Sequence, residues 1–140
     1  MAWNITSKIV RKVVTIDANH TVLDAAMLMT KEFVGSVVIT NSSKISGIFT
    51  ERDLMMRVVG KKRDPERVKI KDVMTKDVAM VSPKDTANHC LHLMKKHRCR
   101  HLLVFNGDEF VGIVSLRDMV TLMMEEKEHL ITYLHQYISS

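Results

Sequence analysis

A phrase of seven residues occurs twice in this chain, as Gly47-Ile48-Phe49-Thr50-Glu51-Arg52-Asp53 and again 65 positions on as Gly112-Ile113-Val114-Ser115-Leu116-Arg117-Asp118. The offset runs without a gap far beyond the phrase: it pairs Ile5 with Ile70, Val13 with Val78, Thr21 with Thr86, Leu28-Met29 with Leu93-Met94, and Asn41 with Asn106. A tandem duplication of this length constrains the fold more tightly than any composition statistic. Two copies are too few for a solenoid, and half-chains of roughly 60 residues are marginal on their own. The expected solution is a closed, pseudo-twofold pair whose halves support one another.

The repeated phrase reads as a strand handing over to a helix. Its glycine permits close backbone approach at the end of an apolar run. Thr50 and Ser115 are natural helix N-caps, and Asp53 and Asp118, three places on, are placed as the acidic partners of a capping box. Backbone N–H groups, a hydroxyl, an arginine and a carboxylate therefore meet at one point, which is equipment suited to a phosphate and a sugar.

Around the phrase, each copy follows the order strand, helix, strand, strand, helix. The β-branched run with Val10, Val13, Val14 and Ile16 predicts an extended opening segment and short strand. Thr21 with Asp24 predicts a capped helix carrying Val22, Ala25, Ala26, Leu28, Met29 and Phe33. Val37 to Ile39 and Ile45 to Phe49 predict a hairpin through Asn41-Ser42-Ser43-Lys44. The helix after Thr50 is expected to end near Gly60 as a C′ residue. In the second copy Val78 to Val81, Ala87 to His97, Leu102 to Phe105, Phe110 to Val114 and a helix from Leu116 repeat the order, with Asn106-Gly107 at the hairpin turn. The fold class is α+β, with α/β character: two β-α-β-β-α repeats packed through small sheets, plus a C-terminal helix. The boundaries expected are repeat 1 over 1–60, a linker over 61–69, repeat 2 over 70–124, and a helical tail over 125–140.

The last helix is longer than its counterpart, and Met119, Leu122, Met123, Leu130, Ile131, Leu134, Tyr137 and Ile138 form an apolar stripe broken by Glu125-Glu126-Lys127-Glu128. Such a stripe either packs within the chain or meets a second copy of it. The eleven methionines, spread along the helices, suit gap filling in a core or an adaptable contact.

Composition excludes some classes. At 46% hydrophobic and 26% charged residues the chain is globular rather than disordered or fibrous. No apolar run approaches the roughly 18 residues of a membrane span. The start Met1-Ala2-Trp3-Asn4 lacks a basic-then-apolar signal layout, so a cytoplasmic protein is expected, with no membrane partner. Cys90 and Cys99 form no CxxC pair and suit a reducing compartment. The net charge of +5 is concentrated partly in Lys61-Lys62-Arg63 and Arg67 to Lys71. No helix-turn-helix, zinc finger or aromatic platform accompanies that run, so it reads as a solvated connector and nucleic-acid binding is the lesser alternative. His89 and His92 stand at i, i+3 with His97 and His101 beyond, but no third ligand at a structural-site spacing joins them, so no metal is expected. Neither Thr50 nor Ser115 has an activating histidine in its motif, and no phosphate-binding glycine loop of the P-loop type is present, so no enzymatic activity is expected.

These features together resemble the paired CBS module, named for cystathionine β-synthase, over roughly Ile5 to Glu125. Ile70-Lys71-Asp72-Val73-Met74-Thr75 is similar to that family's repeat-opening phrase, and Arg100-His101-Leu102-Leu103-Val104 to its second strand. The resemblance extends to small stand-alone CBS-pair proteins. It implies a non-catalytic regulatory or sensor module that requires no cofactor and binds adenosine-containing ligands (AMP, ADP or ATP, with S-adenosylmethionine or NAD as further options) in clefts between the repeats. Carried over, one cleft combines Thr50, Arg52 and Asp53 with Thr75, Val78, Ala79, Arg100 and His101. The other combines Ser115, Arg117 and Asp118 with Val10, Val13, Val14 and Ser36. Because Arg98, Arg100 and His101 correspond to Phe33, Gly35 and Ser36, the first cleft is expected to attract phosphate more strongly. The partners expected are a second copy, through the repeat helices and the C-terminal helix, and a regulated enzyme or transporter. The rival reading is a scaffold with empty clefts.

Overall fold

Both copies build a three-stranded sheet from one parallel and one antiparallel pairing. In a computed structural model that describes residues 2–139, β1 (Thr15–Asp17), α1 (Val22–Glu32), β2 (Ser36–Asn41), β3 (Lys44–Thr50) and α2 (Glu51–Asp53) form the first series. The second series is β4 (Met80–Val81), α3 (Ala87–His97), β5 (His101–Asn106), β6 (Glu109–Ser115) and α4 (Leu116–Ser139). The sheet orders are β1-β2-β3 and β4-β5-β6, with the first pair of each parallel and the second antiparallel. The chain is α+β, as its pattern predicts.

The chain divides into two compact units, Val13–Val78 and a second that joins the residues through Lys12 to those from Ala79 onward. Each unit therefore takes its opening segment from the other copy, for a reason visible in the cores. Ile70, Val73 and Met74 are buried with Val22, Ala25, Val37, Ile39 and Phe49. Ile5 is buried with Val81, Cys90, Leu102, Val114, Met119 and Leu122. Full burial of a side chain such as Ile5 or Ile70 contributes roughly 1.5–3 kcal/mol.

Local signals account for most element ends. Thr21 accepts from the Asp24 N–H while Asp24 returns a bond to the Thr21 N–H, completing the predicted capping box of α1. Thr86 caps α3 through the His89 N–H, and with histidine at N3 the box is not reciprocated. The first hairpin turns on Ser42 and Ser43, both at positive φ (52° and 67°), and the second on Gly107 at 63°, the value a primed turn demands. The helix after Thr50 departs from expectation: Glu51–Asp53 passes into a π-helical turn over Leu54–Val58 and a 3-10 turn over Val59–Lys61. The left-handed cap is Lys62 at φ 56°, and Gly60 lies inside the last turn instead. A Cβ at Gly60 would stand 2.8 Å from the Met55 carbonyl oxygen, so the wide turn is what requires glycine there.

α4 buries Met119 and Leu122, but every residue from Lys127 to Ser139 is exposed, including Leu130, Ile131, Leu134, Tyr137 and Ile138. Its middle is tied down by Lys8 Nζ to Glu125 at 2.8 Å and by the Trp3 N–H to Glu126 at 2.9 Å. No helix among the described residues is long and apolar enough to cross a membrane.

Candidate functional site

The Val13–Val78 unit contains eight of the predicted site residues: Val13, Val14, Ser36, Thr50, Arg52, Asp53, Thr75 and Val78. At its strand-to-helix junction the Thr50 N–H donates to Asp53 Oδ2 at 3.0 Å, and the Asp53 N–H donates back to Thr50 Oγ1 at 3.2 Å. Thr75 is brought here by a reciprocal backbone bridge to Ile48, at 3.0 and 2.9 Å. Its hydroxyl reaches Asp53 Oδ1 at 3.0 Å and Oδ2 at 3.3 Å. Asp53 is only 6% exposed. A carboxylate is tolerated at that depth because donors meet both of its oxygens. Ser36 faces Thr50 across the β2–β3 ladder, and the Glu51 N–H donates to Gly35. The Val14 carbonyl accepts from Val38, while Arg52 stays exposed with its Nε 3.4 Å from Met56 Sδ.

Sequence reasoning missed Arg57. Its Nη1 donates to the carbonyls of Val73 and Met74 at 3.1 and 2.9 Å, and its Nε lies 3.7 Å from Asp53 Oδ1. The i, i+4 spacing from Asp53 was the available signal.

The other unit holds the remaining seven: Val10, Ala79, Arg100, His101, Ser115, Arg117 and Asp118. Ser115 Oγ caps α4 by accepting from the Asp118 N–H at 3.2 Å. Val10 makes the backbone bridge to Ile113, at 2.9 and 3.1 Å, that Thr75 makes to Ile48. His101 stands opposite Ser115 in the ladder, the Arg100 carbonyl accepts from the Leu116 N–H at 2.8 Å, and Ala79 accepts from Leu103 at 3.2 Å. Arg117 is exposed and Asp118 half-buried. The opening-segment residue and the motif aspartate thus share a unit in both cases. The glycines explain the close fit: a Cβ at Gly47 would collide with the Thr75 carbonyl, and one at Gly112 with that of Val10.

Elsewhere the chemistry is quiet. Burial raises the Cys90 thiol to about 11, with nearby Asp85 adding to the effect, and burial also raises Cys99. Such thiols stay protonated and unreactive. Among the described residues no cluster of three or more His, Cys, Asp or Glu side chains converges as for a metal. Two open surface hollows, one beside Trp3 and Asn4 and one beside Ser82, Asp85 and Phe105, include no residue of either junction.

The family model described as CBS domain matches residues 5–60 and 70–125. A CBS domain-containing protein of Arabidopsis thaliana, CBSX3, mitochondrial, is 30% identical over 125 residues, covering 86% of this chain and 61% of its own length. The structure of the CBS-domain containing protein ATU1752 from Agrobacterium tumefaciens matches with a TM-score of 0.80 at 29% identity, over 88% of this chain and 95% of that one. A hexameric CBS-CP12 protein from bloom-forming cyanobacteria matches with a TM-score of 0.78 at 25% identity, over 86% and 72%.

Proposed function

The chain belongs to the CBS-domain family, with two copies in tandem, and from that premise we propose that it is a non-catalytic regulatory module that senses an adenosine-containing ligand such as AMP, ADP or ATP. CBS pairs are generally regulatory, in small stand-alone proteins and as parts of enzymes. The observation that carries the ligand reading is the strand-to-helix junction present in both units, where a capping hydroxyl, helix N–H groups and an aspartate meet. A carboxylate can accept from both cis hydroxyls of a ribose, and the positive helix end favours the phosphate beyond it. The backbone sets His101 opposite Ser115, Arg100 against Leu116 and Arg117 two residues on from Ser115, which places positive or donor residues along the chain around the Ser115 junction.

Self-association through α4 belongs to the same reading. Val120, Met124, Lys127, Ile131, Leu134 and Ile138 alternate spacings of four and three, the period of a coiled-coil seam, and all are exposed. An antiparallel pair of α4 helices matches Val120 to Ile138, Met124 to Leu134 and Lys127 to Ile131. A parallel pair would set Lys127 against its own copy. A ligand acts on such an assembly only through different affinities for its states.

Thermal shift with AMP, ATP, S-adenosylmethionine and NAD tests the ligand reading. A specific ligand at 100 times its dissociation constant adds about 2.7 kcal/mol of stability. Absence of a shift with all four leaves a scaffold role as the surviving reading.

A further inference from the structure

The two junctions share a backbone but not their neighbours, and the difference falls on the aspartates. Thr75 and Val10 occupy the same place, each bridging the last strand of its sheet, yet only Thr75 carries a hydroxyl, and that hydroxyl is spent on Asp53 at 3.0 Å. Arg57 and Leu122 are likewise equivalent, 65 residues apart. The guanidinium of Arg57 lies 3.7 Å from Asp53, whereas Leu122 is buried in the core. Asp53 also receives the Thr50 N–H and hydroxyl at 3.0 and 3.2 Å. Among the described residues no group donates a hydrogen bond to the Asp118 carboxylate, which sits half-buried in the first turn of a 24-residue helix.

We infer that Asp53 is a structural tie and Asp118 the ligand carboxylate, so that each chain takes one nucleotide through its Ser115–Asp118 junction and not two. The inference rests on the nucleotide reading above and deepens it. A ribose diol needs carboxylate lone pairs that are not already committed, and at Asp53 several charge-assisted bonds must be given up before a ligand hydroxyl arrives. The unit with the uncommitted aspartate is also the one whose second strand opens with Arg100 and His101 in place of Gly35 and Ser36. The order of preference is therefore the reverse of the one that charge pairing across the repeats suggested.

Isothermal titration of AMP and ATP into the full chain, with melts in the absence of nucleotide, tests this on wild type, Asp118→Asn and Asp53→Asn. One equivalent is expected on wild type, weakened at least ~10-fold in Asp118→Asn and within ~3-fold in Asp53→Asn. Without nucleotide, Asp53→Asn should melt several degrees lower and Asp118→Asn close to wild type. If Asp53→Asn fails to fold, Thr75→Val takes its place, with retained nucleotide affinity and a lowered melting temperature expected. Two equivalents on wild type, or binding lost with Asp53→Asn or Thr75→Val and kept with Asp118→Asn, overturns the inference and leaves the nucleotide reading intact. No heat from wild type with either nucleotide overturns that reading, and this inference with it.

Discussion

The junctions at Thr50–Asp53 and Ser115–Asp118 began as one phrase and now differ in what surrounds them. In the first, the box is closed in both directions and reinforced by Thr75 and Arg57, and Asp53 is sealed at 6% exposure. In the second, only the hydroxyl-to-N–H half of the box is present among the described residues, and Asp118 keeps contact with solvent. Duplication copies a backbone more faithfully than it copies a hydrogen-bond network. A valine in place of Thr75 and a leucine in place of Arg57, each at the position 65 residues away in the other copy, remove two of the groups that hold the first carboxylate.

What the junctions still share gives the largest expected effect. Gly47→Ala and Gly112→Ala should each cost about 3 kcal/mol or more in urea unfolding, because the new methyl meets a carbonyl oxygen of backbone already engaged in a bridge. Similar losses in both keep the common scaffold; a loss confined to one would break it.

Next in size is the contrast between the aspartates. Asp53→Ala should destabilise by about 2–4 kcal/mol, since it strands buried donors and opens a cap. Asp118→Ala should cost about 0.5–1 kcal/mol, and comparable values would erase the distinction. Thr75→Val, which gives the first junction the residue of the second, should cost about 1–2 kcal/mol, while Val10→Thr stays near neutral.

Smaller effects come from titration. The Cys90 thiol is raised to about 11, so its contribution is complete below the ordinary thiol range near 9 and is lost as pH climbs toward 11. Melting temperature should fall over that window more steeply in wild type than in Cys90→Ala. At the acid end, the backbone bond to Thr21 lowers Asp24, so its stabilisation is present above the usual carboxylate range and fades as pH falls through the lowered value. Asp24→Asn should flatten the acid limb slightly; α3, which has His89 at the corresponding position, has no such limb to lose.

The repeat, the element order, both hairpins and the cap of α1 were legible because each depends on neighbours within a few residues. The seven-residue phrase likewise marked both junctions. Arg57 was not picked out, because its value lies in two carbonyls sixteen and seventeen residues away. The wide turn at Leu54–Val58 was not legible either, since α-helical and π-helical spacing read alike over five residues.

By itself the sequence determined that the chain folds as two like α+β halves and that each half ends a strand on a hydroxyl cap and an aspartate. The family resemblance pairs Thr75 with Asp53 and Val10 with Asp118; only the tertiary structure decided that the Thr75 hydroxyl and the Arg57 guanidinium are committed to the Asp53 carboxylate. Local capping is written into adjacent residues. Whether a carboxylate is committed or available is set by donors that distant stretches of chain bring to it.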